Sequence, residues 1–265
     1  MKKEFTLNFW HALLLLIGVR LLAGVIFALA ALLFTDLYDN SDIFKISLHY
    51  LESLLFIPPT IFFLKKTNIN IKESFFIPAL STVISVITIV VLYQTIVITP
   101  LWRTNEFIES LLNHQLKIFG GSIKSFFFPF HFNVIIMGPI IEELFFRGLI
   151  LKNFLRKYSP VWAILLSSLL FGAHHLSIAN LHYYVIAGML FGFIYYKTNS
   201  LIIVTLAHIL VNIIAQFNFE YIELDMSNSI LHLSIYTIAL LSIVFLLKKG
   251  LKPIPINDRS PYSDK

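Results

Sequence analysis

Apolar residues run along this chain in long blocks and do not alternate with polar ones. About eight blocks can be drawn, over 8–34, 47–64, 75–101, 126–146, 160–176, 181–196, 201–217 and 229–247. Each is close to the ~20 residues that a helix needs to cross ~30 Å of hydrocarbon. The pattern predicts an all-α membrane protein, a polytopic bundle of about eight transmembrane helices forming one transmembrane domain over 1–252. Pro58-Pro59, Pro78 and Pro100 mark kinks or ends in the second and third blocks. The first block follows Lys2 and Lys3, is too long for a signal-peptide core, and has no A-x-A-like site after it. The connection 102–124 is polar and mildly amphipathic, suited to the outer interface. The tail 253–265, with Pro253, Pro255 and Pro261 among polar residues, reads as disordered.

Composition sharpens this picture. The chain is 57% hydrophobic and 13% charged, against roughly 25% charged in soluble domains. It has no cysteine, which removes disulfides, thiolate metal sites and a cysteine nucleophile. The net charge of +5 is modest and sits mostly in short loops, so it signals topology and gives no case for nucleic acid. Counted by alternate loops, fifteen Lys and Arg fall on one side. On the other are four, Lys45, Arg103, Lys117 and Lys124, while Arg20 lies within the first block. Positive residues stay inside, so both termini are expected in the cytoplasm of a multi-pass cell-membrane protein.

Candidate chemistry centres on Gly138-Pro139-Ile140-Ile141-Glu142-Glu143-Leu144-Phe145-Phe146-Arg147-Gly148. Charges are costly inside a bilayer and turn towards protein or water. On a helix, Glu143 and Arg147 are an i,i+4 pair, whereas Glu142 lies about 100° round the axis without a local partner. Two histidine sites also fall within apolar blocks, Phe171-Gly172-Ala173-His174-His175 and His208-Ile209-Leu210-Val211-Asn212. His208 and Asn212 share a helical face. Together with Glu142 they supply a carboxylate base, imidazoles and an amide donor for an oxyanion. His174, adjacent to the helix end, is read as an interfacial or structural histidine. His11, His49, His114, His131, His182 and His232 are read as interface residues, for want of a polar partner at helical spacing. Gly188 and Gly192 form a G-x-x-x-G pair, read as close helix packing. No internal repeat supports an inverted-repeat transporter.

Glu142-Glu143-x-x-x-Arg147, Phe171-x-x-x-His175 and His208-x-x-x-Asn212, in that order, resemble the three motifs of the CPBP family of CAAX proteases and bacteriocin-processing enzymes. The resemblance covers roughly 126–217. It implies an intramembrane endopeptidase in which Glu142 activates water with help from His175, His208 and Asn212 stabilise the oxyanion, and Glu143 and Arg147 give support. No cofactor is expected. Were the reaction metal-dependent, Glu142, His175 and His208 would be the zinc ligands. The implied partner is a peptide or protein substrate at the bilayer, such as a bacteriocin or signalling-peptide precursor. A silent scaffold or immunity protein, or a small-solute transporter, is the alternative. One conflict needs resolving: a fourth span over 126–146 puts Glu142 near the cytoplasmic end and His175 near the outer end. A helix from Gly138-Pro139 to about Lys157 would let them meet.

Overall fold

The computed structural model describes residues 5–94, 132–216 and 229–251, and among these it contains helices and no strand. Helix α1, Phe9–Leu33, is started by Asn8, whose side chain accepts from the backbone N–H of His11 while the His11 ring accepts from Asn8. This reciprocal cap satisfies two otherwise orphaned donors, and it gives His11 the polar partner at helical spacing that the sequence reading lacked. Residues Trp10, Leu14, Leu21 and Leu32 of α1 are exposed apolar side chains, as expected of a helix solvated by lipid. Helices α2 (Thr35–Asn40), α3 (Asp42–Leu54) and α4 (Ile57–Lys66) follow. Pro58-Pro59 sit in the first turn of α4, where a missing N–H costs nothing. After a short turn at Lys72–Ser74 comes α5, Leu80–Leu92.

The central run is continuous from Asn133 to Leu155. Wide π turns at Asn133–Met137 and Leu144–Leu151 flank α6, Gly138–Glu143, and the run ends in α7, Lys152–Leu155. The run does not start at Gly138-Pro139 as expected, since it is already helical from Asn133, but it continues past Glu142 to Leu155 and so takes Glu142 away from a helix end. Helices α8 (Pro160–His174), α9 (Leu181–Thr198), α10 (Leu201–Gln216) and α11 (Ser229–Phe245) complete the bundle. Two helical runs, Phe9–Leu33 and Asp42–Lys66, are each long and apolar enough to cross a membrane, and α5, α8 and Leu201–Ala215 are shorter apolar helices. The described helices therefore reach crossing length in fewer than the eight expected blocks. Part of the third block, 95–101, lies outside the described residues. So do the whole of the connection 102–124, the start of the fourth block to 131, His114, His131 and the tail 253–265.

The core gathers around the central run. Phe145, Phe146, Leu149, Ile150, Leu151 and Phe154 are all fully buried. Helices α8 and α9 lie so close that a Cβ on Gly188 would stand 3.1 Å from Ser168 Cα, and one on Gly172 would stand 2.6 Å from Val185 Cγ2. Small residues at such a crossing let two backbones approach in a lipid environment. At the end rich in lysine and arginine, polar bonds tie the segments together. Lys152 donates to the carbonyl of Asn70 and Arg156 to that of Thr67. The backbone N–H groups of Leu7 and Phe9 donate to Asn153 and Tyr158. The helix ends assigned to one membrane face by charge thus meet one another.

Candidate active site

Glu143 and Arg147 form the buried heart of the site. Both are fully buried, with Arg147 Nη1 donating to Glu143 Oε1 at 2.8 Å. Arg147 Nη2 donates to the carbonyl of Gly188 at 3.1 Å, and its guanidinium lies 4.6 Å from the Phe171 ring centroid and 5.4 Å from that of Phe191. A planar cation between aromatic faces suits Arg better than Lys. The Gly188 approach noted above therefore also delivers an acceptor to Arg147.

Glu143 has a second partner that spacing along one helix could not show. His208 on α10 sets its Nδ1 2.8 Å from the same Glu143 Oε1. An ionised carboxylate only accepts, so Nδ1 carries the proton. The opposite nitrogen, Nε2, points to Glu142 Oε2 at 3.9 Å. Phe191 stacks on the His208 ring with centroids 4.6 Å apart, which holds the ring in place.

Glu142 lies on the neighbouring face of α6, as the 100° step requires. Its Oε1 is 3.7 Å from His174 Nε2, and its Oε2 is buried without a hydrogen-bond partner. Both histidine separations exceed hydrogen-bond length. His174, read from sequence as interfacial or structural, is 6% exposed and is the histidine of the pair nearest this carboxylate. His175, which occupies the motif position, is half-buried. Its Nδ1 donates to the carbonyl of Phe171 at 2.9 Å and its ring stacks on Tyr184 at 3.7 Å. A carbonyl only accepts, so neutral His175 has its proton on Nδ1 and a bare Nε2.

Asn212 also meets the central run. Its Nδ2 donates to the carbonyl of Val134 at 2.9 Å. In the π turn there, Gly138 N–H bonds five residues back to Asn133, so the next such bond would run from Pro139 to Val134. Proline has no N–H, and Asn212 supplies the missing donor. One amide hydrogen remains.

Three further residues were not among the sequence candidates. Arg20 on α1 pairs with Glu52 on α3 and donates to the backbone carbonyl of His174. Glu52 is in turn 3.4 Å from His49, three residues earlier, which corrects the reading of His49 as partnerless. Arg20 had been set aside because it fitted no loop, and that misfit was the available signal.

Among the described residues, no three His, Cys, Asp or Glu side chains are arranged to hold a metal ion. The zinc set Glu142, His175 and His208 forms no such arrangement.

Residues 124–214 match the family described as type II CAAX prenyl endopeptidase Rce1-like. Over these residues the chain is similar to that family. A protein of Bacillus subtilis (strain 168) described as "Putative membrane peptidase YdiL" is 35% identical over 77 residues, which is 29% of this chain and 32% of that protein. The chain spans about a third of the length of that curated relative. No solved structure matches the chain.

Proposed function

We propose that the chain is a multi-pass membrane endopeptidase, with both termini in the cytoplasm, that cleaves a membrane-associated peptide or protein by glutamate-activated water. The observation that carries this reading is Glu142, whose Oε2 is buried without a hydrogen-bond partner and whose nearest histidine nitrogens stand at 3.7 and 3.9 Å, beside Glu143, which shares that unpartnered Oε2 but has its Oε1 held at 2.8 Å by both Arg147 and His208. A purely structural acid would be paired as Glu143 is.

The roles follow from the proton positions. Glu142 takes the proton of the attacking water. His175, with Nδ1 committed to Phe171, offers a bare Nε2 and assists as the family motif implies, while His174 lines the same carboxylate. His208 in its neutral form also offers a bare Nε2, so it cannot donate to an oxyanion until that nitrogen is protonated. A proton passed from Glu142 across the 3.9 Å gap makes it an imidazolium, whose charge Glu143 balances. It then donates to the oxyanion together with the remaining amide hydrogen of Asn212. The class of substrate favoured is a peptide precursor such as a bacteriocin or signalling peptide.

The test is cleavage by purified Glu142→Gln protein in nanodiscs, using internally quenched peptides and peptides that accumulate in a deletion strain. Loss of ~10²–10⁴-fold in rate is expected for a missing general base. A Glu142→Gln protein that keeps more than about a tenth of wild-type cleavage sinks the assignment. His174→Ala and His175→Ala, measured alongside, show which imidazole assists; the greater loss is expected for His175.

A further inference from the structure

The family match begins at residue 124, yet a residue from the first helix reaches the site. Arg20 is the cation that fitted no loop, and the fold explains its position. Its Nη1 pairs with Glu52 and its Nη2 donates to the backbone carbonyl of His174. The Arg20 guanidinium lies 5.7 Å from the centroid of Phe56. Phe56 in turn packs edge-on against the ring of His174 at 4.9 Å and against Phe145 at 5.0 Å. Arg20 therefore reaches His174 twice, through its carbonyl and through Phe56.

That carbonyl stands at the very end of α8. The last carbonyls of a helix lack intrahelical partners and carry partial negative charge, so a cation there both bonds and stabilises. The helix stops abruptly, because Leu176 adopts φ 51°. A left-handed conformation is unfavourable for a non-glycine residue, because Cβ crowds the following carbonyl oxygen. A terminus bent in this way is held only if neighbouring contacts over-determine it. Arg20 supplies such a contact, and Glu52 keeps Arg20 in place from a third helix. Both ion-pair side chains are about four-fifths covered, 18% and 22% exposed.

We infer that Arg20, clamped by Glu52, is a positioning residue that fixes the end of α8 and thereby sets His174 and His175 against Glu142. The N-terminal helices are then part of the catalytic scaffold and not an anchor alone. The inference rests on the proteolytic reading for its kinetic consequence but not for its geometry.

Two measurements on full-length protein in nanodiscs test it. The first is turnover of an internally quenched peptide by wild type, Arg20→Gln, Arg20→Lys and Glu52→Gln. The expected result is a kcat at least about tenfold lower in Arg20→Gln with KM within about twofold, and partial rescue in Arg20→Lys, since a misplaced group in an otherwise intact site costs rate more than binding. The second needs no substrate: the rate of diethylpyrocarbonate modification at His174, located by fragmentation mass spectrometry, with His208 as internal control. His174 should react at least about fivefold faster in Arg20→Gln and in Glu52→Gln, with His208 unchanged, because local release exposes a group without global unfolding. An unaltered His174 rate in both variants overturns the inference, as does equal acceleration at His208. If Arg20→Gln does not fold, Arg20→Lys and Glu52→Gln decide by the same criteria. A wild type that cleaves no peptide counts against the proteolytic reading, and the histidine rates still decide the placement of Arg20.

Discussion

Two glutamates adjacent in sequence should respond oppositely to removal of their surroundings. Truncating Arg147 to alanine removes the bond to Glu143, the bond to the Gly188 carbonyl and the contact with two aromatic faces. Breaking one side of a buried ion pair costs about 3–5 kcal/mol. The Gly188 carbonyl lies in mid-helix and keeps its intrahelical bond, so losing its bond to Arg147 adds little. Against this, His208 still holds Glu143 Oε1 at 2.8 Å, so part of the charge remains compensated. The net loss should be at least about 3 kcal/mol, more than a hundredfold in the folding equilibrium. Total stabilities of about 5–15 kcal/mol make that a large fraction. Arg147→Lys keeps the charge but not the fork, and should fall between.

Glu142→Gln, by contrast, preserves volume and disturbs no bond within hydrogen-bond length to a described residue; the nearest histidine nitrogens stand at 3.7 and 3.9 Å. Its stability should stay within about 1 kcal/mol of wild type. The assay is SDS-driven unfolding of purified protein in mixed micelles, followed by tryptophan fluorescence. Arg147→Ala within about 1 kcal/mol of wild type, or Glu142→Gln destabilised as much as Arg147→Ala, would refute the division of roles.

Three other outcomes follow from the same contacts. Gly188→Ala places a Cβ 3.1 Å from Ser168 Cα and should cost about 1–3 kcal/mol, whereas Gly24→Ala, with nothing within 4 Å, should be neutral or stabilising by up to about 1 kcal/mol; thermal melts of both will show whether the α8–α9 crossing is as tight as described. Asn212→Asp cannot donate to Val134 and should lose about 1–3 kcal/mol together with turnover, so full stability in this variant would remove Asn212 from its place opposite Pro139. Cleavage should survive prolonged chelation, and about one equivalent of tightly bound metal by elemental analysis, with activity lost on chelation and restored by zinc, would overturn the metal-free reading.

Much of the site was legible because its residues obey helical spacing. Glu143 with Arg147 is an i,i+4 contact and meets at 2.8 Å. What spacing could not reveal were bonds between helices. The link from His208 to Glu143 joins residues 65 positions apart, and that from Arg20 to His174 joins residues 154 apart. The π turns were equally hidden, since nothing in an apolar run marks a register of five instead of four. Yet Pro139 carried a trace of this: a proline inside a helix must free a carbonyl, and a donor must be found for it. Asn212 had been credited with no use except catalysis, and the freed Val134 carbonyl supplies another.

The choice between the two glutamates rests on the same geometry. Successive residues of a helix point about 100° apart, so one backbone turn can present one carboxylate to Arg147 and the next to the end of α8. His208 lies where both can be reached, with Nδ1 at Glu143 and Nε2 towards Glu142. With its histidines neutral, the cluster of Glu142, Glu143 and Arg147 carries one net negative charge, and Arg20 with Glu52 adds none. A single buried charge is costly. In the proposed reaction the proton that Glu142 takes from water moves this charge from the carboxylate to the oxyanion, where hydrogen-bond donors can meet it, and the net charge of the site is unchanged. Had Glu142 been paired as tightly as Glu143, the carboxylate would be held by its partner and less free to pass its charge on. The paired glutamate is therefore suited to hold His208 and the free one to move a proton.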